Sequence, residues 1–402
     1  MRAGPPSPAV EPLAQLPPVS LLPPPPPPLD TWAIRHSLES VSARGTQVAA
    51  DFYGYLFTAC PHVREMFPAV MSAQDERLFA AIVKITQLLD RPDTLGRYLT
   101  QLGADHRKYG VQPEHYAPVG DALIRTLRRH CEAWDDRAEA AWMAAYTVAS
   151  DAMIAGAQAC TGPPWYRGRV VRHERRTADV VVLDIETDLP IPYEPGQYIT
   201  VQHGKWPRVW RQFSLATAPD GSGHIELHVR RVPGGWVSTA LTRDAGDGTE
   251  VIIGPPVGGM TARAAADRDL LLVAGGVGLA PMKALAQQVL ADDESAMAVG
   301  EGMRRSIALF WGAKTPLELY EMPVLRQLEQ WYPWLQVVPV ISGTGNFNGL
   351  TGNVSEAVLD YDSWAEREAY LAGPAEMVTA AAEGLCAAGV PEDRVHFDEV
   401  GV

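Results

Sequence analysis

The feature that most constrains this 402-residue chain is a change in the spacing of its apolar residues near Trp165. Before this point apolar residues recur every three or four positions, as in "AADFYGYLFTAC", which is typical of amphipathic helices. After it, short segments alternate with a period of two, which predicts antiparallel strands: "TADVVVLDIET", "YEPGQYITVQH", "RQFSLAT" and "HIELHVRRV". From Asp269 apolar strands alternate with helices, which predicts a parallel sheet. We therefore expect a multidomain chain with an all-α part, an antiparallel β-barrel and a doubly wound α/β part.

The same change of pattern suggests where the parts begin and end. Residues 1–30 are dominated by proline and cannot bury enough apolar surface to offset their ordering entropy, so we expect a disordered tail there. The helical part is predicted over 31–161, the barrel over 162–263 and the α/β part over 264–402.

Charge and composition exclude several classes of function. The chain has 34 basic and 48 acidic residues, and its net charge of -14 disfavours binding to nucleic acids and to anionic membrane surfaces. Its four cysteines are scattered without a CxxC pair, which fits a reducing compartment. No apolar run reaches the ~18 residues of a spanning helix, and the first thirty residues lack the features of a signal peptide. We expect a soluble cytoplasmic protein, with a monomer favoured.

A glycine-rich turn is the first candidate for a binding site. The run "AGGVGLAPM" follows the strand "DLLLV" and opens a helix. Its glycines leave the backbone bare where a dinucleotide pyrophosphate approaches a helix N-terminus, and its proline suits the first helical turn. The candidate residues for binding NADH or NADPH are Gly275, Gly276, Val277, Gly278, Leu279, Ala280 and Pro281. A tight turn without a ligand is the alternative interpretation.

The order of motifs over residues 166–400 supplies a context for this turn. "RQFSLA" follows "PGQYITV" and precedes "RRVPGGWVSTAL", and this order is similar to the ferredoxin reductase family, whose barrel carries an Arg-x-aromatic-Ser motif for a flavin. The resemblance implies that Arg211 pairs with the FAD pyrophosphate, Phe213 lies against the isoalloxazine ring and Ser214 hydrogen-bonds its reactive nitrogen. The other FAD residues that it implies are Tyr198, Gln212, Gly235, Val237 and Ser238. Gly373 and Pro374 stand in a Cys-Gly-Pro motif near the nicotinamide, in which this chain has Ala372 for cysteine.

The helical part carries a second set of motifs. "FYGYLF", "REMF", "QDERLF" and "HRKYGVQPEHYAPVG" resemble the globin half of a flavohaemoglobin. The resemblance implies that His106, which ends an apolar stripe along its helix, is the proximal ligand of the iron of haem b. It also implies that Tyr53 and Gln74 are the distal catalytic pair, and that Tyr116 supports the proximal imidazole. Phe67 and Leu78 are implied to pack on the haem.

Two positions depart from this pattern. Asp105 stands where the family often has lysine, and Ala159 stands where its last globin helix supplies a glutamate to the proximal cluster. By spacing, neither Gln158 nor Asp151 is an obvious replacement. We therefore hypothesise that this haem is easier to reduce than one with the glutamate.

Together, the two resemblances imply a globin, an FAD-binding barrel and a nicotinamide-binding domain in one chain. The activity that they imply is nitric oxide dioxygenation, in which electrons pass from NAD(P)H through FAD to haem iron, and nitric oxide and oxygen become nitrate. One alternative is a haem-based redox or gas sensor with an attached reductase. Another is an oxygenase-type reductase with a degenerate globin, because "LFWGAKTPLELY" resembles oxygenase reductases.

Overall fold

The structure is a computed structural model that describes residues 29–42, 44–262, 268–298, 304–343 and 347–398. The predicted disordered tail lies outside these residues except for its last two positions.

The first part of the chain is helical, as its apolar spacing predicts. Its α-helices are α1 (Thr31–Ser42), α2 (Gly45–Ala59), α3 (Ser72–Gln87), α4 (Pro92–His106), α5 (Tyr116–His130) and α6 (Asp136–Ala159). Leu56, Leu99 and Leu127 come from three of these helices, and each is 1% exposed, because the apolar stripes pack against one another. Asp135 caps α6 by accepting a hydrogen bond from the amide of Ala138 at 2.7 Å.

Two glycines let α4 and α6 cross at close range. A Cβ atom on Gly103 would lie 2.0 Å from the carbonyl oxygen of Met153, and one on Gly156 would lie 2.2 Å from that of Thr100. Any larger residue at either position would push the helices apart. This crossing fixes the C-terminal end of α4, where His106 lies.

The second part is an antiparallel barrel, as predicted. Its strands are β1 (Tyr166–Arg175), β2 (Val180–Thr187), β3 (Tyr198–His203), β4 (Arg211–Ser214), β5 (His224–Arg230) and β6 (Glu250–Ile253), with the short helix α7 (Trp236–Thr239) after β5. They pair in the order β4-β3-β6-β1-β2-β5. A bridge between Leu215 and Leu227 joins the two ends of this order, so the barrel is nearly closed.

The third part is a parallel sheet with helices on both faces. Its elements are β7 (Leu270–Gly275), α8 (Leu279–Ala298), β8 (Ile307–Ala313), α9 (Met322–Trp331), β9 (Leu335–Ile341), β10 (Leu350–Thr351), α10 (Val354–Tyr361), β11 (Glu368–Ala372), α11 (Ala375–Ala387) and β12 (Val395–His396). The strand order is β10-β9-β8-β7-β11-β12. Leu272 packs in the core with Leu285 of α8, and its neighbour Leu271 packs with Val358 of α10. Both faces of β7 are therefore buried, which explains its continuous apolar run.

A buried polar cluster joins the barrel to the parallel sheet. The ammonium of Lys283 on α8 lies 2.7 Å from Glu226 of β5 and 3.1 Å from Glu321, which precedes α9. His228 contacts the same Glu226 carboxylate at 3.1 Å, and Arg176 lies 3.3 Å from Glu321. Opposite charges from both parts thus compensate one another where solvent is excluded.

Within the described ranges, no helix has both the length and the apolar character needed to cross a membrane.

Candidate functional site

His106 is held in one orientation by its own helix. Its Nδ1 lies 2.7 Å from the carbonyl oxygen of Leu102, one turn earlier, so Nδ1 carries the proton and donates it to that oxygen. Burial lowers the pKa of His106 below its ordinary value, which favours the neutral ring. A neutral imidazole with Nδ1 protonated presents the lone pair of Nε2, which is the form that binds a metal.

The predicted distal pair comes together in the structure. Tyr53 on α2 is 5% exposed and is hydrogen-bonded to the side chain of Gln74, in the first turn of α3. Burial raises the pKa of Tyr53, which keeps its hydroxyl protonated and able to donate. The ring of Phe67 meets the Tyr53 ring edge-on with centroids 5.3 Å apart, and Leu78 packs against the same core. Three of the predicted residues thus belong to one apolar core, and Gln74 is joined to it through its hydrogen bond with Tyr53.

A cavity of about 280 Å³ lies beside His106 and Tyr116. Tyr116 is fixed by its backbone, because its carbonyl oxygen accepts a hydrogen bond of 2.6 Å from the hydroxyl of Tyr146. Ile154, Ala157 and Gln158 of the last helix line this cavity, whereas Ala159, which is exposed like Gln158, does not. Gln158 is the polar residue among these three, and Ala159 does not line the cavity, because one residue turns the side-chain direction by about 100° around a helix.

We expect Gln158→Glu to lower the midpoint potential of the haem. A carboxylate in this cavity adds negative charge beside the imidazole and so stabilises ferric over ferrous iron. A spectroelectrochemical titration measures the shift, and Ala159→Glu is the matched control, since Ala159 does not line the cavity. Equal shifts in the two variants would contradict the placement of Gln158.

The predicted flavin residues lie on two adjacent strands of the barrel. Tyr198 of β3 is paired with Ser214 of β4, and Phe213 is paired with the fully buried Ile199. Paired side chains share a face, so Tyr198 and Ser214 lie together and Phe213 packs against the barrel core. Gln212 is exposed, two residues before Ser214 on the same face. Burial, with the negative charge of a nearby aspartate, raises the pKa of Tyr198 to about 12.

Arg211 is the cation expected at the flavin phosphates. Its side chain is half-buried and donates to the carbonyl oxygen of Trp210 at 2.8 Å. In the described part of the chain, no carboxylate lies within salt-bridge distance of it. Burial and the charge of Arg77 lower its pKa. A half-buried guanidinium without an acidic partner fits an anionic ligand such as a pyrophosphate.

The loop before α7 is tightly closed. The hydroxyl of Ser238 accepts a hydrogen bond of 3.1 Å from the amide of Val232, and a Cβ atom on Gly235 would lie 2.6 Å from that hydroxyl. Val237 is fully buried in the barrel core. The geometry explains the glycine as a close approach within the loop, and the role of this loop at the FAD phosphates stays a prediction.

The predicted dinucleotide turn lies at the carboxyl ends of two neighbouring strands. Gly275 ends β7, residues 276–278 form a single turn, and α8 begins at Leu279. A Cβ atom on Gly278 would lie 2.2 Å from the carbonyl oxygen of Ala372 at the end of β11. One on Gly275 would lie 2.8 Å from Pro374, so the turn and the Gly373–Pro374 segment touch. Ligands of open parallel sheets bind in the crevice at this edge.

The first turn of α8 packs into the core next to the glycine turn. Leu279, Ala280 and Pro281 are buried in the core, whereas Val277 is only partly buried. The three buried side chains therefore serve packing, and only the backbone of this turn is available to a ligand.

The sequence analysis did not single out two cations, one beside the glycine turn and one beside strand β3 of the barrel. The guanidinium of Arg230 on β5 lies 3.1 Å from the position of a Cβ atom on Gly276, so the barrel reaches the dinucleotide turn. Lys108, two residues after His106, is buried against Thr200 of β3. No spacing rule separates a buried lysine from a surface lysine, and the only sequence signal was that Lys108 lies within the "HRKYG" motif.

The residues present fit the expected prosthetic groups. A neutral imidazole beside a cavity, with a buried phenol bonded to a half-buried amide in the same helical part, suits haem iron and a polar ligand on it. An unneutralised arginine beside a tyrosine and a serine suits a flavin with its pyrophosphate.

Three family models match successive parts of the chain. They are a globin over residues 50–153, an oxidoreductase FAD-binding domain over 167–261 and an oxidoreductase NAD-binding domain over 272–383. Fold and site together define a globin joined to a flavin- and nicotinamide-dependent reductase, which is an NAD(P)H-dependent oxidoreductase with haem and FAD as cofactors.

Known proteins are similar to nearly the whole chain or to somewhat more than half of it. A flavohemoprotein of Bordetella pertussis is 26% identical over 389 residues, which cover 89% of this chain and 94% of that protein. The phenol hydroxylase P5 protein of Acinetobacter pittii is 30% identical over 240 residues, and these cover 58% of this chain and 65% of that protein. The fold matches the crystal structure of a flavohemoglobin from Malassezia yamatoensis with bound FAD and heme, with a TM-score of 0.76 and 20% identity, covering 92% of this chain and 98% of that one. The chain is thus similar over most of its length to flavohaemoglobins and has a globin, an FAD-binding and an NAD-binding domain in that order.

Proposed function

We propose that the protein is a nitric oxide dioxygenase. The overall reaction converts two nitric oxide and two oxygen molecules into two nitrate ions, with the two electrons supplied by one NAD(P)H, which becomes NAD(P)⁺ and a proton. The observation that carries the proposal is the hydrogen-bonded pair of the buried Tyr53 and the half-buried Gln74 in the globin part of a chain with its own reductase. Placing polar groups in an apolar core costs free energy. A globin that only signals the oxidation state of its iron to a partner would gain nothing in return for this cost.

When bound, FAD would supply the link between NAD(P)H, a two-electron donor, and haem, a one-electron acceptor, and the haem iron would supply the place where oxygen and nitric oxide react. The protein supplies position and dipoles. His106 holds the iron through Nε2, with its tautomer fixed by the Leu102 carbonyl. Tyr53 and Gln74 would donate hydrogen bonds to negative charge that develops on oxygen during the reaction, and Tyr116 would pack beside His106. Arg211 neutralises the FAD phosphates, and Ser214 and Tyr198 orient its ring.

We also propose the domain boundaries 31–161, 162–263 and 264–402, and a cytoplasmic, monomeric protein that acts on small molecules. The ends of the helices and strands support these boundaries, because α6 ends at Ala159, β1 begins at Tyr166 and β7 begins at Leu270.

We expect Tyr53→Phe to reduce nitric oxide consumption by roughly 10- to 100-fold, since a hydrogen bond to a charged group contributes about 1.5–3 kcal/mol. The assay supplies NADH and oxygen, follows nitric oxide with an electrode and measures the nitrate formed. Tyr55→Phe is the matched control, because Tyr55 lies on the same helix and its hydroxyl bonds the exposed Arg129. A wild-type protein whose haem is reduced by NADH but which forms no nitrate would overturn the proposal and favour the sensor.

A second candidate function is electron supply to a separate oxygenase. It is favoured by the likeness of this chain, over 240 residues, to the phenol hydroxylase P5 protein. The absorption spectrum of the purified protein separates the two functions, because a degenerate globin would bind no haem whereas a dioxygenase binds one haem per chain.

A further inference from the structure

The turn that follows His106 contacts the barrel through a buried lysine. Lys108 has a side chain that is 2% exposed, and its Nζ lies 2.5 Å from the carboxylate of Asp105. The same Nζ donates to Oγ1 of Thr200 on β3 at 3.1 Å. This ammonium therefore links the end of α4, which carries the haem ligand, to the strand beside the flavin strand.

Glycine at position 254, just after β6, makes room for this contact. A Cβ atom there would lie 2.3 Å from Oγ1 of Thr200 and 3.3 Å from Cδ of Lys108. The amide of Gly254 donates to the carbonyl oxygen of Thr200 at 2.7 Å, so the acceptor strand is fixed as well. The backbone at Gly254 therefore packs closely against both Lys108 and Thr200, the two partners of the contact.

Aromatic rings connect His106 to the flavin strand through the same turn. The centroid of the Tyr109 ring lies 6.0 Å from that of His106 and 6.2 Å from that of Trp210, with both pairs edge-on. Trp210 is 6% exposed and directly precedes Arg211. A continuous row of three rings therefore runs from the haem ligand to the predicted flavin motif.

The buried lysine sets the positions of two of these rings. Its Nζ lies 5.2 Å from the centroid of the Tyr109 ring and 5.4 Å from that of Trp210, within the range of cation–π attraction for both. An apolar side chain of similar length would fill this space without the cost of burying a charge. The ammonium differs from an apolar group because it contacts two rings, a carboxylate and a hydroxyl at once, and it therefore restricts the positions of all four.

We propose that Lys108 is a positioning residue that holds Tyr109 and Trp210 between the two cofactors, so that electrons cross from FAD to haem iron along this row of rings. The inference rests on the electron transfer that is part of the proposed function. Each transfer oxidises the reduced flavin by one electron and reduces one ferric iron to ferrous. One NAD(P)H supplies two such transfers, no bond is formed or broken between the domains, and no other reactant is needed.

The first experiment compares Lys108→Met with wild type and with Lys205→Met in the full chain. Lys205 is the matched control, because its side chain is 58% exposed and its ion pair with Asp244 lies in solvent. After anaerobic mixing with NADH, stopped-flow spectra separate flavin reduction from haem reduction. We expect Lys108→Met to leave flavin reduction unchanged and to slow haem reduction by roughly tenfold or more, since a misplacement of about 1 Å can cost on the order of 100-fold.

The ring substitutions test the path itself. Trp210→Phe and Tyr109→Phe keep an aromatic ring and are expected to reduce haem within about threefold of the wild-type rate, whereas Trp210→Leu and Tyr109→Leu are expected to be slowed like Lys108→Met. These variants keep the proposal testable if Lys108→Met does not fold. Equal rates for the phenylalanine and leucine variants would overturn the role of the rings.

A readout that does not depend on turnover is hydrogen exchange of the full chain. In Lys108→Met, backbone amides of residues 105–110 and of β3 are expected to exchange faster together, because the contact between them is lost. Unchanged haem reduction in Lys108→Met, or an equal fall in flavin and haem reduction, would overturn the inference alone. A wild-type protein whose haem is not reduced by NADH would instead overturn the proposed function.

Discussion

Replacing His106 with alanine is expected to weaken haem binding by more than about 100-fold, since even outer supports of a metal ligand are worth about 10- to 100-fold. In the structure His106 presents its Nε2 lone pair because Nδ1 is bonded to the Leu102 carbonyl. No described group of histidine, cysteine and acidic residues offers another metal site. The measurement is the haem content of the purified protein and its affinity for added haem.

The same variant should keep its flavin and its nicotinamide-driven reduction of an artificial acceptor, because those sites lie on other parts of the chain. His62→Ala is the control, since His62 is exposed and lies before α3. A His106→Ala protein with the wild-type haem spectrum would show that another residue holds the iron.

The second large effect is expected at the buried cluster between barrel and sheet. Lys283→Met removes the cation that lies 2.7 Å from Glu226 and 3.1 Å from Glu321, and the Glu321 side chain is 1% exposed. Removing one partner of a buried ion pair typically costs about 3–5 kcal/mol, because the remaining charge is left uncompensated in a region without solvent. Urea unfolding followed by flavin fluorescence measures the change. Lys205→Met, at an exposed ion pair, should change the free energy of unfolding by less than about 1 kcal/mol.

The loss of unfolding free energy in Lys283→Met should become smaller as the pH falls. Burial opposes the ionisation of Glu226, but hydrogen bonds from His228 and Lys283 and their charges outweigh it and lower the pKa of Glu226 to about 2. A depressed carboxyl pKa stabilises the folded state above the unfolded value of about 4.3, and this stabilisation is lost as the pH falls toward 2. The difference between wild type and Lys283→Met should therefore shrink as the pH falls from about 5 to about 2. A difference that stays constant over this range would indicate that packing, and not charge, causes the loss.

Much of the fold was predictable because each part has its own hydrophobic period. The run "DLLLV" became the doubly buried β7, and the alternating segments became β2 to β5. Two strands of the barrel were not singled out from the sequence, for different reasons. In β1, "YRGRVVRHER", charged side chains interrupt the alternation, and β6 has only four residues. Their pairing with each other over residues 166–169 and 250–253 depends on partners far apart in the chain.

In the candidate site, too, local features were predictable from the sequence and contacts between distant segments were not. A histidine at the end of an apolar stripe and a glycine turn after an apolar strand are local features, and the sequence is enough to point to them. Gln158 was passed over in favour of its neighbour, because alignment by spacing does not determine how a helix is rotated. Arg230 and Lys108 were missed because their neighbours in the folded chain come from other domains.

The sequence by itself determined the order of a helical part, a barrel and a parallel sheet, the haem ligand candidate and the dinucleotide turn. These depend on periodicity and on residues close together in the chain, which local backbone geometry translates directly into structure. Only the tertiary structure decided that Tyr53 meets Gln74, that Gln158 lines the proximal cavity and that Lys108 reaches Thr200. Such contacts depend on how closely helices cross and how whole domains pack, as the glycine crossing of α4 and α6 illustrates, and no local pattern encodes those distances.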